Sequence, residues 1–241
     1  VMDDREFCEE HMGRCPVVSV SLKSADGVAY DDAFERLAGV ISRLAWNFSW
    51  LDGPELTEKE HVFLDRLSDF DYLRQPAGRG FAEQSLIFLC HLLRKRFGDS
   101  RKPVLLIDEY DVPLQKAAMS GYYGQMSKVI GPMLSRALKS NECVYKGIMT
   151  GCLRATKEGI FTGLNNFRCY GIDDALFADK VGFTSEEVDS LLESAGLAEK
   201  KSVLREWYDG YRFGNNVEMF CPWDVLQYVA DVMYYPSAEP K

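Results

Sequence analysis

The stretch KPVLLIDEYDVPL, Lys102 to Leu114, constrains the fold of this chain more than any other. Four apolar residues, Val104 to Ile107, run into the adjacent acids Asp108 and Glu109, and Pro113 then interrupts the pattern. A short apolar run with this punctuation reads as a buried strand that delivers two carboxyl groups to its C-terminal tip. CPVVSVSLK (Cys15 to Lys23) and CVYKGIMTG (Cys143 to Gly151) are further strand candidates, rich in β-branched residues. NFRCYGI (Asn166 to Ile172) reads as a last short one.

Helical spacing fills the intervals. Phe34, Leu37, Ile41, Leu44, Phe48 and Leu51 recur at steps of three and four, and Gly53-Pro54 ends the run. Thr57 and Glu60 form a capping box that opens a second helix. Gln75 to Gly80 reads as a loop, followed by a third helix through Leu86, Leu89, Cys90, Leu93 and Phe97, closed by Gly98. A helix is expected from about Tyr122 to Leu138, with Gly131-Pro132 kinking it or breaking it in two, because proline removes a donor and clashes one turn back. Strands separated by helices predict an α/β layer of parallel strands buried on both faces. From GFTSEEVDSLLESAGL (Gly182 to Leu197) the pattern changes to capped helices around a turn-rich YDGYRFGNN. The expected division is an α/β core over residues 1–179 and a small, mostly helical unit over 180–241. The aromatics Trp207, Tyr208, Tyr211, Phe213 and Trp223 are read there as a local core, with a partner surface as the alternative.

Lys and Arg total 28 against 37 Asp and Glu, a net charge of −9, which argues against long-range attraction to a nucleic-acid backbone. No run approaches the roughly 18 apolar residues of a membrane span. The opening VMDDREFCEE lacks the order of a signal peptide, and seven scattered cysteines then suggest reduced thiols in a cytoplasm. Cys8, His11 and Cys15 have a spacing that a metal could use, but no fourth ligand for a closed zinc site lies near. The chain begins with Val1 and is read as a piece whose natural start lies upstream.

Ligands of open α/β sheets sit beyond the carboxyl ends of the strands. Three ends here carry polar residues: Ser21 and Lys23, Asp108 and Glu109, and Thr150. LLIDE has the physical logic of a Walker B element. Its first acid, Asp108, would hold Mg²⁺ through the ion's water shell. Its second, Glu109, would accept a proton from, or orient, the water attacking the γ-phosphate of ATP. Thr150 can reach the same water or the phosphate, and Arg154 can neutralise charge that develops on the phosphoryl oxygens. The same residues have plainer uses. Asp108 and Glu109 can cap the following turn, whose geometry Tyr110 and Pro113 fix, and Arg154 can be a surface ion-pair partner. No G-x-x-x-x-G-K-[S/T] phosphate loop occurs in the 241 residues; GRGF (Gly78 to Phe81) lacks both the preceding strand and the lysine.

LLIDEYDVPL, TGCLRATKEGIFTGLNN, GFTSEEV, WYDGYRFG and CPWDVLQYV occur in one order, and over about Val17 to Val229 the chain resembles the bacterial AAA-ATPase-like family of P-loop proteins. That resemblance implies a P-loop NTPase-like, three-layer α/β/α fold with a mostly parallel sheet, followed by a lid-like or winged-helix-like unit. It implies Mg-ATP as ligand, Asp108 and Glu109 as the Walker B pair, Thr150 as the polar position after the sensor strand, and Arg154 as the arginine of TGxLR. The Walker A strand and loop then belong upstream of Val1, and a PD-(D/E)xK nuclease-type domain downstream of Lys241. Hydrolysis is accordingly expected of the full-length protein, with weak or absent ATP binding in this piece. The alternative is a non-catalytic scaffold or regulatory domain that kept the fold. Val181 and Cys221 depart from the family's usual phenylalanine and asparagine, and Gly131-Pro132 from its generally unbroken helix. FTGLNN (Phe161 to Asn166) is a further signature without a derived role.

Overall fold

The computed structural model describes residues 4–139, 141–152, 167–208, 210–235, 237 and 239. The chain divides into two compact units, Val1–Phe167 and Arg168–Lys241.

The first unit is a mixed helix and sheet body around a three-stranded parallel sheet, an α/β arrangement. Its elements in order are α1 (Arg5–His11), β1 (Val17–Ser21), α2 (Tyr30–Asn47), α3 (Glu58–Ser68), α4 (Phe70–Leu73), α5 (Arg79–Phe97), β2 (Val104–Asp108), α6 (Val112–Met119), α7 (Tyr123–Leu138) and β3 (Lys146–Met149). The sheet order is β1-β2-β3, so the strand bearing the acids is central, with Ser21 in register beside Asp108. Val18, Val20, Leu105 and Ile107 join α2, α5 and α7 in one buried cluster.

Burial on both faces does not hold among the described residues. β1 buries Val18 and Val20 on one face and exposes Val17, Ser19 and Ser21 on the other, and Val17 and Ile148 remain 45% and 47% exposed. Residues 167–172 form no strand, and β3 pairs with β2 alone among the described residues. Among the described residues β3 is therefore an edge, with Lys146, Gly147 and Ile148 exposed.

Most helices follow from local sequence. The Thr57 hydroxyl accepts the Glu60 N–H while the Glu60 carboxylate accepts from Thr57, completing the capping box of α3. Gly98 closes α5 at φ +81°, a conformation glycine adopts without a Cβ penalty. The loop expected over Gln75–Gly80 is instead a 3₁₀ turn, Pro76–Gly78, running directly into α5. Pro113 starts α6 rather than ending a pattern, since the first helical turn has no use for the missing donor. α7 runs as one helix through Pro132, so the break into two that the sequence allows does not occur. The carbonyl that Pro132 leaves without its usual donor, that of Lys128, accepts instead from Arg79 Nη2 at 3.0 Å.

The second unit comprises β4 (Phe183–Thr184), α8 (Ser185–Ser194), α9 (Lys201–Tyr208), β5 (Tyr211–Phe213), β6 (Val217–Phe220) and α10 (Pro222–Tyr234). It adds an antiparallel sheet of order β4-β6-β5 to its helices, and the turn-rich YDGYRFGNN contributes strand β5. Asn215 and Asn216 make the β5–β6 turn at positive φ, which asparagine tolerates. Its core is Val188, Leu192, Leu204, Phe220, Val225, Tyr228, Val229 and Val232. Trp207, Tyr211 and Trp223, read from sequence as core, are exposed. Among the described residues no helix is long and apolar enough to cross a membrane.

Candidate active site at the carboxyl ends of the strands

The three parallel strands end side by side, and their tips bring five polar side chains to one rim. Ser21 ends β1 and Lys23 lies just past it, Asp108 ends β2 and Glu109 follows it, and Thr150 is the residue after β3. Backbone bonds fix the tips to each other. The Leu22 N–H donates to the Asp108 carbonyl (2.9 Å), the Thr150 N–H to the Ile107 carbonyl (2.9 Å), and the Tyr110 N–H to the Thr150 carbonyl (3.2 Å).

Glu109 lies at φ +52°, in the left-handed region that a residue with a Cβ enters at a cost of about 1–2 kcal/mol. Strain of this kind persists where the surroundings over-determine it and gathers at functional sites. Here it turns the chain sharply after Asp108 and sends the two acids to opposite neighbours. Asp108 Oδ1 accepts the Glu109 N–H at 3.0 Å and the Thr150 hydroxyl from the β3 side. Glu109 Oε2 accepts the Ser21 hydroxyl at 3.1 Å, and Lys23 Nζ stands 4.0 Å from Oε1, both from the β1 side. With Lys23 78% exposed, that ion pair is screened and weak.

The plainer reading of the acids is half realised. Asp108 does cap the amide that follows it, whereas the Glu109 side chain turns to β1 and its carbonyl, not its carboxylate, accepts from Val112 at 3.2 Å. Asp111, three residues past Asp108, is 3% exposed and accepts Gln115 Nε2 at 2.7 Å. Gly151 packs against it so closely that a Cβ there would lie 2.5 Å from Asp111 Oδ1 and 2.8 Å from the Tyr110 ring. The glycine after Thr150 is thus a steric requirement of the site. Sequence reasoning has Ser21 and Lys23 as polar strand ends without a role, and it misses Asp111, whose signal is an acid inside an otherwise apolar helix start. Arg154 and the segment 161–166 lie outside the described residues.

As a donor set for Mg²⁺ the rim offers oxygen only: the Asp108 carboxylate, with Thr150 and Glu109 beside it. Among the described residues no three His, Cys, Asp or Glu side chains converge on one point. That suits an ion that keeps most of its water and is held by one or two carboxylates together with substrate phosphates. A cavity of about 590 Å³ in the first unit is lined by Ser24, Asp32, Arg36, Ser42, Arg43 and Phe70 among others and contains none of the rim residues. Its mixed charge gives it no evident preference for a polyanion, so the chemistry is better sought at the strand tips.

A family model described as Predicted AAA-ATPase (AAA-ATPase_like) matches residues 2–161, a span that contains all three strands and both acids. The motifs from Gly182 onward lie beyond it. No curated protein and no solved structure matches the chain.

Proposed function

The chain belongs to the AAA-ATPase-like family, and from that premise we propose that it carries the acid-bearing half of a module that hydrolyses ATP. In this reading Asp108 holds the ion through water. The magnesium, when bound, neutralises charge on the phosphate oxygens. Glu109 orients the attacking water and takes its proton as the water oxygen bonds to the γ-phosphorus; the bond to the bridging oxygen breaks and its electron pair leaves with ADP. Thr150 fixes the Asp108 carboxylate, and Arg154 supplies positive charge to the phosphoryl group.

What supports this reading above all is one observation: adjacent acids at the tip of the central parallel strand, with Glu109 in a strained backbone conformation. A backbone cradle for the phosphates is not among these 241 residues, since the Gly-rich loop with Lys-Ser/Thr is missing from the sequence. We therefore assign the cradle to a segment outside them. In this reading the complete fold is a three-layer P-loop arrangement. ATP then binds weakly or not at all to this chain alone, which calorimetry tests; nanomolar to micromolar affinity would refute it.

The discriminating experiment is Glu109→Gln in the full-length protein. Mg-ATP binding should persist while phosphate release falls about 100-fold or more, the scale of a lost general base. A scaffold that merely kept the fold would have no turnover to lose.

A further inference from the structure

Helix α10 is apolar on two faces. Val225, Tyr228, Val229 and Val232 turn into the core of the second unit. The other face carries Trp223, Leu226, Met233 and Tyr234, which are 74%, 48%, 64% and 82% exposed, with the exposed Ala230 among them. Gln227 is the one polar residue on that side, and the helix has no lysine, arginine or histidine. A helix apolar on both sides belongs between two layers, and a contiguous exposed apolar patch marks an interaction surface.

The spacing identifies the occupant. Trp223, Leu226, Ala230 and Met233 follow steps of three, four and three, the seam along which two helices interlock. The seam is symmetric about Tyr228: Leu226 and Ala230 lie two residues to either side of it, Trp223 and Met233 five residues. Turned end for end, a second copy of α10 sets leucine opposite alanine and tryptophan opposite methionine. Each pair joins a large side chain to a small or a pliant one. Such a contact is self-complementary and closes as a two-fold pair. The only charges of the helix, Asp224 and Asp231, stand on its flank, and Asp231 accepts from Gln227 of the same helix at 3.0 Å. No like charges therefore meet across the seam. The stripe offers about 500 Å² on each copy, about 1,000 Å² in a pair, which is the low end for a specific, exchanging interface. A lipid surface is the poorer match, because the polar flank is acidic where such a surface asks for lysine and arginine.

We propose that the exposed face of α10 is the contact of a two-fold dimer, packed antiparallel against α10 of a second copy of this chain, with Leu226 of each copy over Ala230 of the other.

Sedimentation velocity of the full-length protein from about 1 to 100 μM tests it, a range suited to an interface of this size. The parent should pass from monomer to dimer across that range. Leu226→Glu and Ala230→Lys each place a charge in the seam and should each weaken association about ten-fold or more. The double variant should recover the dimer, since the new carboxylate of each copy then faces the new ammonium of the other. The same two groups also stand one turn apart within a helix, but a pair inside one copy restores no association. Trp46→Ser, at an exposed position of α2, is the control and should dimerise as the parent does. Met233→Gln is the milder disruption to use if either charged variant fails to unfold cooperatively. A parent that stays monomeric throughout overturns the proposal, and its flotation with phosphatidylcholine vesicles would assign the face to lipid instead. Single variants that dimerise as strongly as the parent, or a double variant no better than either single one, overturn the antiparallel contact.

Discussion

Arg79 donates through Nη2 to the backbone carbonyl of Lys128 at 3.0 Å, across the seam between α5 and α7. That carbonyl is the one Pro132 cannot serve, so a side chain from another helix completes the ladder and α7 runs on unbroken. Arg79→Ala should cost about 1.5–3 kcal/mol in urea denaturation, the value of a hydrogen bond with a charged donor. In a Pro132→Ala background it should cost less, because the alanine backbone restores the missing donor. The Arg79–Glu83 pair is present in both backgrounds and cancels. Equal costs in the two backgrounds would mean that the bond to Lys128 does not carry the helix past its proline.

Glu60 makes a second seam, joining the start of α3 to α5. Burial raises its pKa, but bonds from Lys95 Nζ (2.7 Å), the Thr57 backbone and hydroxyl (2.7 Å each) and His91 Nε2 (2.8 Å) outweigh burial and hold the carboxyl well below the usual range. A carboxyl depressed in the folded state contributes stability above its unfolded pKa of about 4.3 and loses it as the pH falls toward the folded value. Glu60→Gln should therefore destabilise at neutral pH by about 1–3 kcal/mol. The gap between the two proteins should close as the pH drops below about 4. A gap that is constant from about pH 7 to about pH 3 in urea midpoints would show that the charge of Glu60 is not what binds the two helices.

A Cβ on Gly151 would meet Asp111 Oδ1 at 2.5 Å and the Tyr110 ring at 2.8 Å. Gly151→Ala should force the segment after Thr150 to shift, costing about 1–3 kcal/mol as overpacking does. Because Thr150 holds Asp108, turnover in the full-length protein should fall as well. Thermal unfolding and phosphate release check the two effects separately, and an unchanged Tm would remove the steric account of this glycine.

Much of this was legible in the sequence because apolar spacing is a local signal. β1, β2 and β3 lie inside the strands expected from their valine, leucine and isoleucine runs, and α2, α3 and α5 follow their periodicity and caps. The prolines misled because the cost of a lost donor depends on what else reaches the orphaned carbonyl. For Pro132 that is Arg79, distant in sequence; for Pro113 it is nothing, since a first turn leaves no bond to lose. The acid pair was legible as a pair. Its splay was not, because it comes from the φ of Glu109 and from hydroxyls that two other strands bring to it. The one-sided burial of the sheet was present in the valine–serine alternation of β1, but the assumption of a sheet covered on both faces obscured it.

The most direct measurement is phosphate release by the full-length protein as a function of Mg²⁺ concentration, for the parent and for Asp108→Asn. If the carboxylate at the tip of β2 holds the ion at a hydrolysing site, the parent turns over only with Mg²⁺, and Asp108→Asn needs about ten-fold more Mg²⁺ or releases no phosphate at all. Superimposable Mg²⁺ curves for the two proteins, or no turnover by the parent at any Mg²⁺ concentration, would contradict it.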